Sequence, residues 1–147
     1  MNEEITIKKA KKEDLKNIAS LFKIESAKKP YFQKWTSKKV LEKIKDAFNS
    51  QDIFVIALGK EILGFLTSNI EEDHKEKAYL DELWILEDYQ GKGLGRKVMS
   101  FVEDYYRGKG VKIIHLVSKK SSGAFKFYKK LKYKESEETI FLEKKLK

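Results

Sequence analysis

The chain has 147 residues, 41% hydrophobic and 12% aromatic, enough for one domain with a core of its own. Lys and Arg number 32 against 23 Asp and Glu, a net charge of +9 that favours anionic ligands but is dispersed along the chain, mostly as lysine, with acids interleaved. No cysteine occurs, which excludes disulfides, cysteine metal clusters and a cysteine acyl carrier.

Ile5 to Lys9 alternates apolar and charged residues, as a half-buried strand does. Leu15, Ile18, Ala19 and Phe22 then form a helical stripe. Pro30 interrupts, within an aromatic loop that contains Tyr31, Phe32 and Trp35. Thr36 or Ser37 is a candidate cap for a second helix, which carries Val40, Leu41, Ile44 and Phe48. Ile53–Leu58 reads as an apolar strand, Gly59-Lys60 as a turn, and Ile62–Ile70 as the hairpin partner. A charged loop leads to a fourth strand, Ala78–Leu86. A helix from about Gly93 to Arg107 stops at Gly108, a plausible cap. Lys112–Val117 is expected as a fifth strand. Ser121-Ser122 then starts a helix with Ala124, Phe127, Tyr128 and Leu131 on one face, and Thr139–Leu146 is expected as a last strand. The order β-α-α-β-β-β-α-β-α-β implies an α+β fold, an α/β/α sandwich around a mixed, curved sheet. One domain over residues 1–147 is expected, because no linker divides the chain. No segment has the apolar length to span a membrane, and Met1–Lys8 lacks the apolar core of a signal peptide. A cytoplasmic protein without a membrane partner is the expectation.

The stretch that carries most chemistry is Tyr89-Gln90-Gly91-Lys92-Gly93-Leu94-Gly95-Arg96. A strand ends, a glycine-rich turn follows, and a helix begins inside the turn, with Leu94, Val98, Phe101, Val102 and Tyr105 at helical spacing. Unsatisfied N–H groups and the positive end of the helix dipole make such a turn an anion site. The spacing is wrong for a P-loop, since Gly95 is followed by Arg96-Lys97-Val98. It is also wrong for the dinucleotide fingerprint, since Arg96 stands where the third glycine is needed.

Gln90-Gly91-Lys92-Gly93-Leu94-Gly95 does fit Gln/Arg-x-x-Gly-x-Gly/Ala, and resembles the pyrophosphate-binding motif of the GNAT superfamily of N-acetyltransferases, which use acetyl-coenzyme A. The expected element order is that of the same fold. A second segment, Ala124-Phe125-Lys126-Phe127-Tyr128-Lys129-Lys130-Leu131-Lys132-Tyr133, resembles the family's Ala-x-x-Phe-Tyr-x-x-x-Gly-Phe. Three positions depart from the family: Ser121 replaces a frequent Asn, Glu87 a frequent Pro, and Lys132 the glycine after the helix. That last helix must therefore end on a lysine or on a different turn.

The resemblance implies a site. Leu83, Trp84 and Ile85 would lie along the pantetheine arm of acetyl-coenzyme A through backbone groups. Gln90, Gly91, Lys92, Gly93, Leu94 and Gly95 would wrap the pyrophosphate, with Arg96 at the edge. Ser121 takes the position of the family's Asn, and Tyr128 would offer its hydroxyl to the coenzyme sulfur as the acid. Glu82, or its neighbour Asp81, would be the base or an electrostatic anchor for the amine. Regular alternation allows at most one of the two to face the acceptor. Tyr31, Phe32 and Trp35 would flank the acceptor. Without cysteine, direct attack in a ternary complex is favoured over an acyl-enzyme. His115 reads as structural, and no metal-ligand spacing appears. Two other readings are a basic nucleic-acid-binding module and an acyl-coenzyme A sensor without turnover. No nucleic-acid motif appears, which weighs against the former. Homodimers are common in such folds, but no interface is legible. The acceptor, whether small molecule, polyamine, aminoglycoside or peptide amine, stays open.

Overall fold

The computed structural model describes residues 4–146. It divides into two compact units, Met1–Val117 and Ser118–Lys147.

The first unit is built on a sheet in the order β1 (Ile5–Lys9), β2 (Asp52–Leu58), β3 (Glu61–Ile70), β4 (Lys77–Ile85) and β5 (Ile113–Leu116). The first four strands form an antiparallel meander, and β5 joins β4 in parallel. The parallel step needs a crossover, which α3 (Leu94–Gly108) supplies. Helices α1 (Leu15–Ser26) and α2 (Ser37–Ser50) connect β1 to β2. Thr36 caps α2, its hydroxyl accepting from the Lys39 amide at 3.1 Å.

Strand alternation decides which helix packs where. Ile53, Val55 and Phe65 join Ile18, Phe22, Val40 and Ile44 in one core, so this sheet face carries α1 and α2. Phe54 points the other way, onto Phe101 and Tyr105 of α3 at centroid distances of 5.8 and 5.1 Å. The fully buried residues of α3 include Met99 and Tyr106, while Phe101 and Tyr105 flank the stripe. The buried Tyr106 hydroxyl lies 2.6 Å from Ser68 Oγ and donates to Asp52 at 2.9 Å. Lys9 donates to the same carboxylate at 3.0 Å, so β1, β2, β3 and α3 share one polar network.

β4 contains a bulge. Ser68 pairs with Leu80 and Thr67 with Glu82, which leaves Asp81 as an extra residue. Directly opposed residues share a face. Ser68 reaches α3, so Leu80 shares the α3 face, and Glu82 emerges on the face of α1 and α2.

The second unit contains α4 (Gly123–Lys130). Ser122 caps its start, its hydroxyl accepting from the Phe125 amide at 3.3 Å. Its end settles the question posed by the missing glycine. Lys132 itself adopts the left-handed conformation, with φ at 75°. The Tyr133 amide donates to the Tyr128 carbonyl and the Lys132 amide to the Lys129 carbonyl, both at 3.0 Å. These are the two bonds of a Schellman motif, and the Tyr128 and Tyr133 rings supply its apolar contact at 5.7 Å. Lys132→Gly should relieve the left-handed strain at some cost in unfolded-chain entropy, raising stability by about 0.5–1 kcal/mol in urea unfolding.

The strand expected over 139–146 is not formed: the chain there has no regular structure. Ile140, Phe141, Leu142 and Leu146 are exposed. A strand exists only as a member of a ladder, and these residues have β propensity but no paired neighbour among the described residues. The expected sixth strand is therefore corrected to an irregular segment.

Candidate functional site

β4 and β5 pair only from Lys77 to Leu80 and from Ile113 to Leu116. β5 ends there, while β4 runs on to Ile85, paired only with β3. One edge of Asp81–Ile85 is thus left without a strand partner in the first unit. The bulge lies where this edge opens.

The open edge leads straight into the glycine turn. A short 3-10 turn, Glu87–Tyr89, follows β4. The Gln90 side chain folds back and donates to the Ile85 carbonyl at 2.8 Å. Gly91 and Gly93 have φ of 73° and 84°, a left-handed region that suits glycine. A Cβ at either would meet no atom within 4 Å, so the space above both is open. Gly93 caps α3 without a side-chain hydrogen bond, and the first turn holds no acidic residue. The helix start keeps its unsatisfied amides and its positive dipole end. Lys92 stands over the Tyr89 ring at 5.4 Å. A diphosphate fits this cradle in charge, in donors and in room.

A residue outside the motif braces the turn. Glu25, on the buried stripe of α1, is 6% exposed. It accepts from Lys28 Nζ at 3.0 Å and from the Glu87 amide at 3.3 Å. Lys28 also donates to Glu87 at 3.0 Å. Glu87, which stands where the resemblance has proline, thus ties α1 to the segment entering the glycine turn. The signal was legible in hindsight: Glu25 sits three residues after Phe22 and four after Leu21, in phase with the apolar stripe.

On the face of α1 and α2 the unit assembles a second cluster. Glu82 accepts from the Trp84 indole N–H through Oε2, and Lys43 of α2 lies 3.3 Å from Oε1. Burial pushes the Glu82 carboxyl above the ordinary carboxylate range, outweighing the Trp84 hydrogen bond and the Lys43 charge that pull it down. Trp84 packs edge-on against Phe22 at 5.4 Å and Tyr31 at 4.9 Å, and Phe22 meets Trp35 at 5.4 Å. Tyr31 and Trp35 therefore belong to one aromatic group with Trp84. Phe32, at φ 48°, is 61% exposed.

Alternation does not separate the two acids as expected. Asp81 is the bulged residue, and it accepts from Gln51, the residue after α2, at 3.3 Å. Both carboxylates thus have partners on α2 or at its end. Ser121 and Tyr128 lie in the second unit. Tyr128 is buried on α4 between the rings of Phe127 and Tyr133 at 5.1 and 5.7 Å. His115 faces Glu71 at 3.6 Å. Among the described residues no acid and histidine cluster is arranged to hold a metal, and no helix is long and apolar enough to cross a membrane.

Comparison with known proteins gives concordant results. The chain is 28% identical, over 146 aligned residues, to an uncharacterized N-acetyltransferase of Methanocaldococcus jannaschii. That match covers 90% of this chain and 62% of the relative, so the chain spans about three-fifths of that protein's length. Among solved structures, an aminoglycoside acetyltransferase from an uncultured soil metagenomic sample superposes with a TM-score of 0.71 at 23% identity, covering 97% of each chain. The aminoglycoside N-acetyltransferase AAC(6')-Iy, solved with CoA, gives 0.77 at 16% identity, covering 99% of this chain and 98% of that one. An integron cassette protein from the mobile metagenome of V. cholerae gives 0.81 at 15%, covering 96% and 92%. At these identities the structures speak to fold, a mixed α+β architecture common to all three. The sequence model of the Acetyltransferase (GNAT) family matches residues 18–133, from the first turn of α1 past the end of α4, and the chain belongs to that family.

Proposed function

We propose that this chain is an acetyl-coenzyme A-dependent N-acetyltransferase acting on a primary amine by direct attack in a ternary complex. The observation that carries the reading is the continuity of the open β4 edge with a left-handed glycine turn at an uncapped helix start. The edge suits the amides of a pantetheine arm, and the turn suits its diphosphate. The family's use of acetyl-coenzyme A agrees with both.

The chemistry is assigned to Glu82 and the β4 edge and, by the family resemblance alone, to Tyr128. The acceptor nitrogen attacks the thioester carbonyl carbon, forming a C–N bond as the C–S bond breaks. An alkylamine has a pKa of about 10, so it needs a proton acceptor near neutral pH. Glu82, half-buried and poised above the ordinary carboxylate range, takes that proton. A free amide of the β4 edge polarises the carbonyl oxygen. The Tyr128 hydroxyl gives its proton to the leaving thiolate and regains one from solvent. With no cysteine in the chain, no thiol intermediate intervenes.

Calorimetric titration with acetyl-coenzyme A, with ATP and NAD as controls, tests the reading first. Selective binding of acetyl-coenzyme A is expected, and its failure by folded protein would discard the cofactor site. Glu82→Gln tests the base. In the parent, kcat/KM should rise with pH through a value above the ordinary carboxylate range, because only the carboxylate accepts a proton. The Gln variant should lose that limb and about 10²–10⁴ in rate. An unaltered pH profile would reassign the base.

A further inference from the structure

Lys43 is held in an unusual way for a helix lysine. Its ammonium lies 5.5 Å from the Phe22 ring centroid, 5.8 Å from that of Trp35, and 3.3 Å from Glu82 Oε1. Two aromatic faces within about 6 Å and one carboxylate are the elements that bind an organic cation. The cage is itself braced. Trp84 holds the other oxygen of Glu82, and Phe22 packs against both tryptophans. Directly across β3 from Glu82, Thr67 is 1% exposed, and its hydroxyl oxygen has no hydrogen-bond partner. A buried hydroxyl without a partner is costly and rare, and it leaves a donor and acceptor on this face for an incoming polar group.

We propose that Glu82, Phe22 and Trp35 form the ammonium subsite of the acceptor, that it takes a primary alkylammonium, and that Lys43 is a resident occupant which the acceptor displaces. The proposal rests on the acetyltransferase reading, since it makes the same Glu82 anchor the amine before it takes the proton. The resident lysine has a physical purpose. A half-buried carboxylate left unpaired is destabilising, and Lys43 neutralises it while no acceptor is bound. Its four-carbon stem and partial exposure let the ammonium leave for solvent when another cation arrives. A neutral or anionic acceptor cannot supply the lost charge, so displacement selects for cationic amines.

The chain's two tryptophans, Trp35 and Trp84, both belong to this cluster, so intrinsic fluorescence reports on the cage directly. The probe is n-propylammonium, the fragment that Lys43→Ala removes. The Lys43→Ala protein should show a saturable fluorescence change with propylammonium at least about tenfold tighter than wild type. The double variant Lys43→Ala/Glu82→Gln should lose it. Equal titration of wild type and Lys43→Ala, or tight binding that survives Glu82→Gln, overturns the proposal. Acetyl-coenzyme A calorimetry on the same samples separates the two failures: binding of coenzyme without the propylammonium response sinks only the subsite. Should Lys43→Ala not fold, wild-type protein answers through acetic anhydride labelling. n-Propylammonium should raise modification of Lys43 several-fold relative to exposed lysines such as Lys92 in the same digest, a ratio that consumption of reagent by the probe leaves untouched, and an unchanged ratio overturns the proposal.

Discussion

Tyr128→Phe should lower kcat by about 10²–10⁴, the usual contribution of a side-chain acid, with little change in affinity for acetyl-coenzyme A. The substitution removes one oxygen and keeps the ring. That ring is what packs between Phe127 and Tyr133 at the closing turn of α4, so the helix end should survive intact. A phenol is a sensible donor to a thiolate, since its hydroxyl carries a proton to give. Equal losses in kcat and kcat/KM would place the missing interaction in the transition state. A variant with parental turnover would make Tyr128 a packing residue and leave the thiolate to solvent. Steady-state kinetics with calorimetric Kd for the coenzyme decides between them.

Gly93→Val should abolish measurable coenzyme binding, a loss of at least about 100-fold in Kd, or some 2.8 kcal/mol. Two effects combine. At φ 84° an L residue is strained by about 1–2 kcal/mol, and a β-branched one is an outlier there. The new methyl groups also enter the open space over the first amides of α3, where the diphosphate is proposed to sit. That openness makes the result informative. A Cβ at Gly93 meets nothing within 4 Å, so the ligand-free fold has no clash to suffer. Gly93→Ala keeps the strain with less bulk and should fall between the two. Parental affinity in Gly93→Val would show that no anion docks on this turn.

Much of the architecture was legible because the patterns are periodic and local. The alternation of β1, the apolar runs of β2 and β3, and the glycines between β4 and α3 each state their element without outside help. What escaped was whatever depends on partners. Residues 139–146 have strand composition, but pairing is not written in composition. The same holds for Asp81: alternation assigns faces only while the ladder is regular, and nothing in Leu80-Asp81-Glu82 announces an extra residue. Tyr31, Trp35, Glu82 and Trp84 were each singled out by resemblance, and the first unit gathers all four. Lys43 was not, because a lysine on a helix rich in lysine reads as solvated surface. Its phase, three residues after the buried Val40 and beside the buried Ile44, was the available sign.

Inside a strand, losing one residue is ordinarily among the harshest changes, since it inverts every side chain on one side of the cut. At Asp81 the opposite holds. With that residue gone, Leu80 would still oppose Ser68 and Glu82 would still oppose Thr67, and every residue on either side would keep its face. β4 therefore has the form of a regular strand that has accepted one insertion. The half before it serves the sheet, bonded on both edges, and the half after it has one edge without a strand partner in the first unit. A length change at this one position can alter the outlook of the free half and leave the sheet's own bookkeeping of faces untouched. It is the place in the strand where an acceptor site can be remodelled by gain or loss of a single codon.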